Sequence, residues 1–212
     1  MTNFIPIFPL GIVVFPGEEL NLHIFEPRYK QLVTDCFGEG KAFGIPTVLK
    51  TGIGEYGTAV EVKEVVEVYK DGKMDIRTKA LSIFRILEVV KALPDKLYNG
   101  AIVTYPINNE RMSSLLLKKV LEDVRALHGL LKLNKDFKKP DEALSSYDIA
   151  HHAGLSVEEE YELLNLFRED QRLEFLKRHL EKVLPVVGEM ETLKERIQLN
   201  GHFKNLSGNF EF

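Results

Sequence analysis

The chain has 212 residues, 28% of them charged and 44% hydrophobic, with a formal net charge of −4, which is enough for one large domain or two small ones, each with its own core. The acid excess argues against a broad phosphate-binding surface, because general nucleic-acid affinity rests on clustered Lys and Arg. The lone Cys36 excludes an internal disulfide and fits a reducing cytoplasm, the opening residues lack a signal-peptide pattern, and no run of about 18 apolar residues predicts a membrane span.

In chain order, Pro6, Pro9, Gly11 and Pro16 interrupt the first apolar run, and Pro16-Gly17 reads as a turn. Leu20 to Phe25 alternates apolar and polar like a half-buried strand, and Glu26-Pro27 places proline at the first position of a helix expected near Pro27 to Phe37. Strands are predicted at Ala42 to Leu49, Thr58 to Tyr69, Met74 to Lys79, Leu81 to Val90 and Tyr98 to Tyr105. Asp71-Gly72 is a two-residue hairpin signal, since both positions can take positive φ. Six or more short strands with one helix predict a small closed or half-closed barrel over residues 1–107.

After Asn108 the period becomes helical, and Leu115, Leu116, Val120, Leu121, Val124, Leu127 and Leu131 form one apolar stripe. Residues 134–145 read as a loop, followed by helices at about 146–153, 156–168 and 170–184, the last stopped by Pro185. A final helix is expected from Gly188 to Leu199. The fold class is therefore α+β, a β-barrel half followed by an α-helical bundle at 108–200. The tail, 201–212, is rich in Gly, Asn and Ser and is expected to be disordered.

Few motifs carry catalytic chemistry. Gly52 to Gly57 spells GxGxxG, but the run that follows has strand period, so it reads as a Gly-rich connection between strands and not as a dinucleotide loop. His151-His152 diverge by roughly 100° on a helix instead of converging on a metal. His23 reads as a half-buried strand histidine bonded to a backbone carbonyl, and Cys36 as a small buried hydrophobe. No metal or cofactor is expected. Tyr147 to Leu164 has helix-turn-helix spacing, yet its second helix carries Glu158, Glu159, Glu160 and Glu162, which phosphates would repel, so structural packing is the preferred reading.

The combination of Pro9-Leu10, Phe15-Pro-Gly17 and His23-Ile-Phe-Glu-Pro-Arg-Tyr29, with a weaker match at Arg172 to Leu176, resembles the amino-terminal substrate-binding domain of the Lon proteases. The resemblance implies a PUA-like barrel before a helical bundle, in a stand-alone member. Neither Gly40-Lys41 nor Gly72-Lys73 completes the phosphate loop of a Lon ATPase, since Ala42 and Met74 follow them, and the chain is too short for the Ser-Lys peptidase half. The function this implies is a non-catalytic module that recognises unfolded or degron-bearing polypeptide, an adaptor for proteolysis in the cytoplasm. Its candidate polypeptide-binding residues are Phe15, Phe25, Tyr29 and Tyr56. A small-molecule-binding or RNA-binding PUA-like protein is the competing reading. One departure concerns Ala80 and Ile83, which stand where relatives commonly have Gly and Arg, so that Arg85 substitutes only if it reaches the same face.

Overall fold

A computed structural model describes residues 3–109, 113–135 and 137–206, with the backbone alone for 199–206. The chain divides into two compact units, one of residues 1–110 and 155–168, the other of 111–154 and 169–212. A segment from the C-terminal half thus belongs with the β-rich unit.

The first unit contains β1 (Asn3–Pro6), β2 (Glu19–Ile24), α1 (Pro27–Glu39), β3 (Phe43–Leu49), β4 (Gly52–Val68), β5 (Met74–Val90) and β6 (Gly100–Thr104). The antiparallel order is β1-β6-β5-β4-β3, with β2 pairing the first half of β5. Just past β1 the chain runs parallel to β3, where Phe8 N–H donates to Gly44 O at 2.8 Å and Val48 N–H donates to Leu10 O at 2.7 Å. These bonds close the sheet on itself and remove two of its edges, the usual way a small antiparallel sheet protects its backbone. Inside lie Ile5, Ile7, Ala59, Phe84, Ala101 and Val103.

Pro27 does begin α1, and Gly40 ends it at φ 62° in a left-handed conformation that costs glycine little. Tyr29, Leu32, Val33 and Cys36 form its buried face and pack with Phe43, Ile45, Val60 and Ile76. The predicted strands at 74–79 and 81–90 are one strand, because a bulge between the pairs at Ala80 and Ile83 bends β5 without breaking it. The hairpin turn also differs from expectation. Only Gly72 has positive φ, 76°, and its N–H donates to Tyr69 O, so the turn is a type I bend followed by one left-handed glycine.

The GxGxxG segment is the start of β4 itself rather than a connection. Glycine is required there for close approach: a Cβ on Gly57 would lie 2.6 Å from both Ile45 O and Pro46 Cα, and one on Gly54 would lie 2.7 Å from the Tyr161 ring. That ring belongs to α4 (Val157–Leu164), whose Tyr161 hydroxyl accepts from Tyr56 N–H at 2.9 Å and whose Glu158 pairs with Lys50. The second helix of the helix-turn-helix spacing is therefore docked on the barrel.

The second unit holds α2 (Ser114–Leu130), a 3-10 turn (Asp141–Ala143), α3 (Ser146–Ala150) and α5 (Glu169–Leu206). The apolar stripe of α2 is shifted from its sequence reading: Leu117, Val120, Leu121, Val124 and Leu127 are buried, whereas Leu115 is 81% exposed and Leu131 is 45% exposed. Residues 170–184 and 188–199 form one helix, not two, because α5 runs through Pro185. Proline cannot donate to the carbonyl four residues back, but the turns on either side keep the helix continuous. Leu173, Leu176 and Leu180 bury one face of it. The predicted disordered tail is helical in backbone to Leu206, and residues 207–212 lie outside the described part. Among the described residues, no helix is long and apolar enough to cross a membrane.

Candidate functional site

The four aromatic candidates part company in the structure. Phe15 is wholly buried, and Tyr29 is buried against Phe8 with ring centroids 3.9 Å apart, so both are core residues and neither lines a rim. Tyr56 is half-buried, its ring 5.5 Å from Phe167, and it anchors the α4 segment. Phe25 alone lies open, 58% exposed.

Strand alternation puts it there. Along β2, Leu20, Leu22 and Ile24 face the core, which leaves Asn21, His23 and then Phe25 on the outer face. Register adds the rest: His23 stands opposite Asp75 and Asn21 opposite Arg77. His23 Nδ1 lies 2.6 Å from Asp75 Oδ1, and Tyr69 O–H donates to Asp75 Oδ2 at 2.7 Å. The histidine thus bonds a carboxylate and not the backbone carbonyl expected for it. Phe25 stacks near the imidazole at 6.3 Å and Tyr69 meets it edge-on at 5.9 Å, a geometry that aromatic quadrupoles favour.

Next to this cluster is a shallow groove of about 380 Å³ lined by Asn21, His23, Val66, Asp75 and Arg77. Val66, half exposed, is the apolar side chain that the groove presents among polar ones, and its Arg77 is paired with Glu64 at 2.8 Å. The hydrogen bonds from Tyr69 and His23 hold the Asp75 carboxyl below the usual carboxylate range, and the same bond pushes the Tyr69 phenol up to about 12. Among the described residues β2 pairs with β5 only, so its other edge offers backbone groups to an incoming strand.

A second hollow, about 410 Å³, lies between β1 and α1 and is lined by Phe4, Asp35, Lys96, Tyr98 and Tyr105. Its polar side is internally satisfied: Lys96 Nζ and Tyr98 O–H both donate to Asp35 Oδ2, at 2.7 and 2.8 Å. Cys36 lines it too, with burial pushing its thiol up to about 11. In β5, Ile83 is buried while Arg85 is exposed and bonded to Glu55, so Arg85 does not reach the interior face that Ile83 occupies. No group of three His, Cys, Asp or Glu able to hold a metal exists among the described residues.

His23, Val66, Tyr69 and Asp75 were missing from the sequence candidates. The hairpin signal at Asp71-Gly72 was the clue, since a tight turn there brings Tyr69 and Asp75 to one end of the sheet.

A family model for the substrate-binding domain of the ATP-dependent protease La (LON) matches residues 5–182. The chain belongs to the Lon substrate-binding domain family. A Lon N-terminal domain protein from Xanthomonas campestris is 26% identical, with 82% of this chain and 96% of that one covered at a TM-score of 0.60. The N-terminal domain of a Mycobacterium avium complex Lon protease is 12% identical, covering 84% and 98% at a TM-score of 0.60, which speaks to the fold. The β-rich half followed by helices is the Lon N-domain fold, and the matched family model is that of substrate binding.

Proposed function

We propose that this Lon-family chain is a non-catalytic module that binds unfolded or degron-bearing polypeptide along β2 and hands it on for proteolysis in the cytoplasm. The observation that carries the reading is the coincidence of a strand edge that no described strand pairs, an exposed aromatic cluster at Phe25, His23 and Tyr69, and a groove of mixed polar and apolar lining with Val66 exposed in it. An extended peptide adds main-chain hydrogen bonds at such an edge while alternate side chains find the groove. The peptide leaves no bond cleaved, because the cluster supplies anchoring and no activated nucleophile. Separate protease partnership is part of the same proposal.

The test is fluorescence anisotropy of a labelled, permanently unfolded polypeptide titrated with the protein, the folded form of that polypeptide serving as control. Saturable binding selective for the unfolded form is expected, and Phe25→Ala should weaken it about tenfold, the scale of an exposed aromatic anchor. Absence of binding to high micromolar concentration, or an affinity indifferent to Phe25→Ala, overturns the reading. A small-ligand role rests on the hollow at Tyr98 and Asp35, and protection of Lys96 from acylation by a small molecule would favour it.

A further inference from the structure

The distal half of α5 carries four large apolar side chains that stand exposed among the described residues. Val186, Met190, Leu193 and Ile197 are 56, 65, 58 and 63% exposed. Their spacing of four, three and four is the alternation of d and a positions in a heptad. At about 100° per residue they fall within an arc of roughly 60°, on a different side of the helix from Leu180, Val187 and Glu191. Those three are buried or half-buried, and Glu191 lies near Lys132 at 3.6 Å. Beside the stripe, Gly188 and Leu193 line an open groove with Leu130 of α2.

We propose that this stripe is a self-association face, and that its occupant is α5 of a second copy running antiparallel. In that pairing Val186 meets Ile197 of the second copy and Met190 meets Leu193, and the two-fold axis repeats both layers. The flanking charges select the same arrangement. Glu189 and Arg196 are exposed on one side of the stripe. The antiparallel register sets Glu189 against Arg196 of the second copy twice over, giving two ion pairs of opposite sign and no like-charge contact. A neutral peptide or an acidic partner would leave one member of each pair unused. The stripe is thus complementary to itself, as an isologous interface requires.

Analytical ultracentrifugation of the full chain from low micromolar to near millimolar concentration tests this. A reversible equilibrium is expected, from the 24.2 kDa monomer toward twice that mass. Leu193→Glu should raise the dissociation constant about tenfold or more by placing charge in two apolar layers, with helicity by circular dichroism unchanged because the site is exposed. Glu189→Arg should weaken the dimer, and Glu189→Arg combined with Arg196→Glu should restore it. A parallel pairing would instead oppose Glu189 to Lys194, and the double swap would not restore it. A monomer at every concentration, a dimer unmoved by Leu193→Glu, or a failure of the double swap to restore association each overturns the proposal.

Discussion

Asp75 accepts from two rings at once, Tyr69 at one oxygen and His23 at the other, and this makes the candidate site sensitive to pH at both ends of the scale. Its carboxyl is held low, so the stabilising bonds are present above the ordinary value of about 3.9 and fade as pH falls through the depressed one. For Tyr69 the sign is opposite. Its phenol is raised to about 12, so the contribution is present below the ordinary value near 10 and lost as pH rises through the raised one. Carbon-detected NMR titration should show Asp75 ionising below the free-carboxylate range, and Tyr69→Phe should move it back up. An unmoved titration in that variant would remove Tyr69 from the cluster. Gly57 is the other residue whose identity is dictated locally. A methyl group there meets backbone atoms of Ile45 and Pro46 that have no rotamer to escape by, so Gly57→Ala should cost about 1–3 kcal/mol in urea unfolding.

At the scale of elements, the junction of α3 and α5 is held by a buried polar cluster. Glu169 and Arg172 are 2% and 0% exposed, and the Glu169 carboxylate accepts from Ser146 N–H at 2.6 Å, Ser146 O–H at 2.7 Å and Arg172 Nη2 at 2.7 Å. The Arg172 guanidinium also lies 4.2 Å from the centre of the Tyr147 ring. Such a pair contributes little net stability against an apolar replacement, but removing one partner strands the other charge in the interior. Arg172→Ala should therefore destabilise the helical unit by roughly 3–5 kcal/mol, read from chemical denaturation followed by circular dichroism, and more than Glu169→Gln, which keeps hydrogen-bonding capacity. Equal losses in the two variants would show that the charge of Glu169, and not its hydrogen-bonding capacity, is what the buried Arg172 requires. The Arg172 to Leu176 run was visible in the sequence as part of a family likeness. Its partner Ser146 was not, because nothing in linear spacing pairs residues 26 apart.

For the whole molecule, a net charge of −4 and a groove whose Arg77 and Asp75 are already paired mean that the proposed recognition of polypeptide would draw on strand pairing and the exposed aromatic cluster more than on free charge. Polypeptide affinity should change by no more than about threefold between low and high salt, since paired charges have little left to screen. A nucleic acid would lose roughly a thousandfold over a smaller change, so the same anisotropy titration repeated in salt separates the two ligand classes. If α5 pairs with a second copy, each assembly presents two β2 edges, and a long unfolded chain gains avidity from engaging both.

The β-rich half, the helix at Pro27, the helical half and the family were all legible in the sequence, because side-chain period and turn residues are local properties that the backbone must obey. Phe25 and its neighbours show where that legibility stops. Alternation says that Phe25 and Ile24 face opposite ways, but which face is solvent depends on β5 and α1 arriving from elsewhere in the chain. The same holds for Phe15 and Tyr29, apolar residues that reading alone placed on a rim and tertiary packing placed in the core. Pro185 reads as a stop signal, and flanking turns overrode it. Composition and spacing thus determined what kinds of element this protein has. Burial is a property of surfaces brought together across long sequence separations, and only the folded chain decided which side chains remained free to bind.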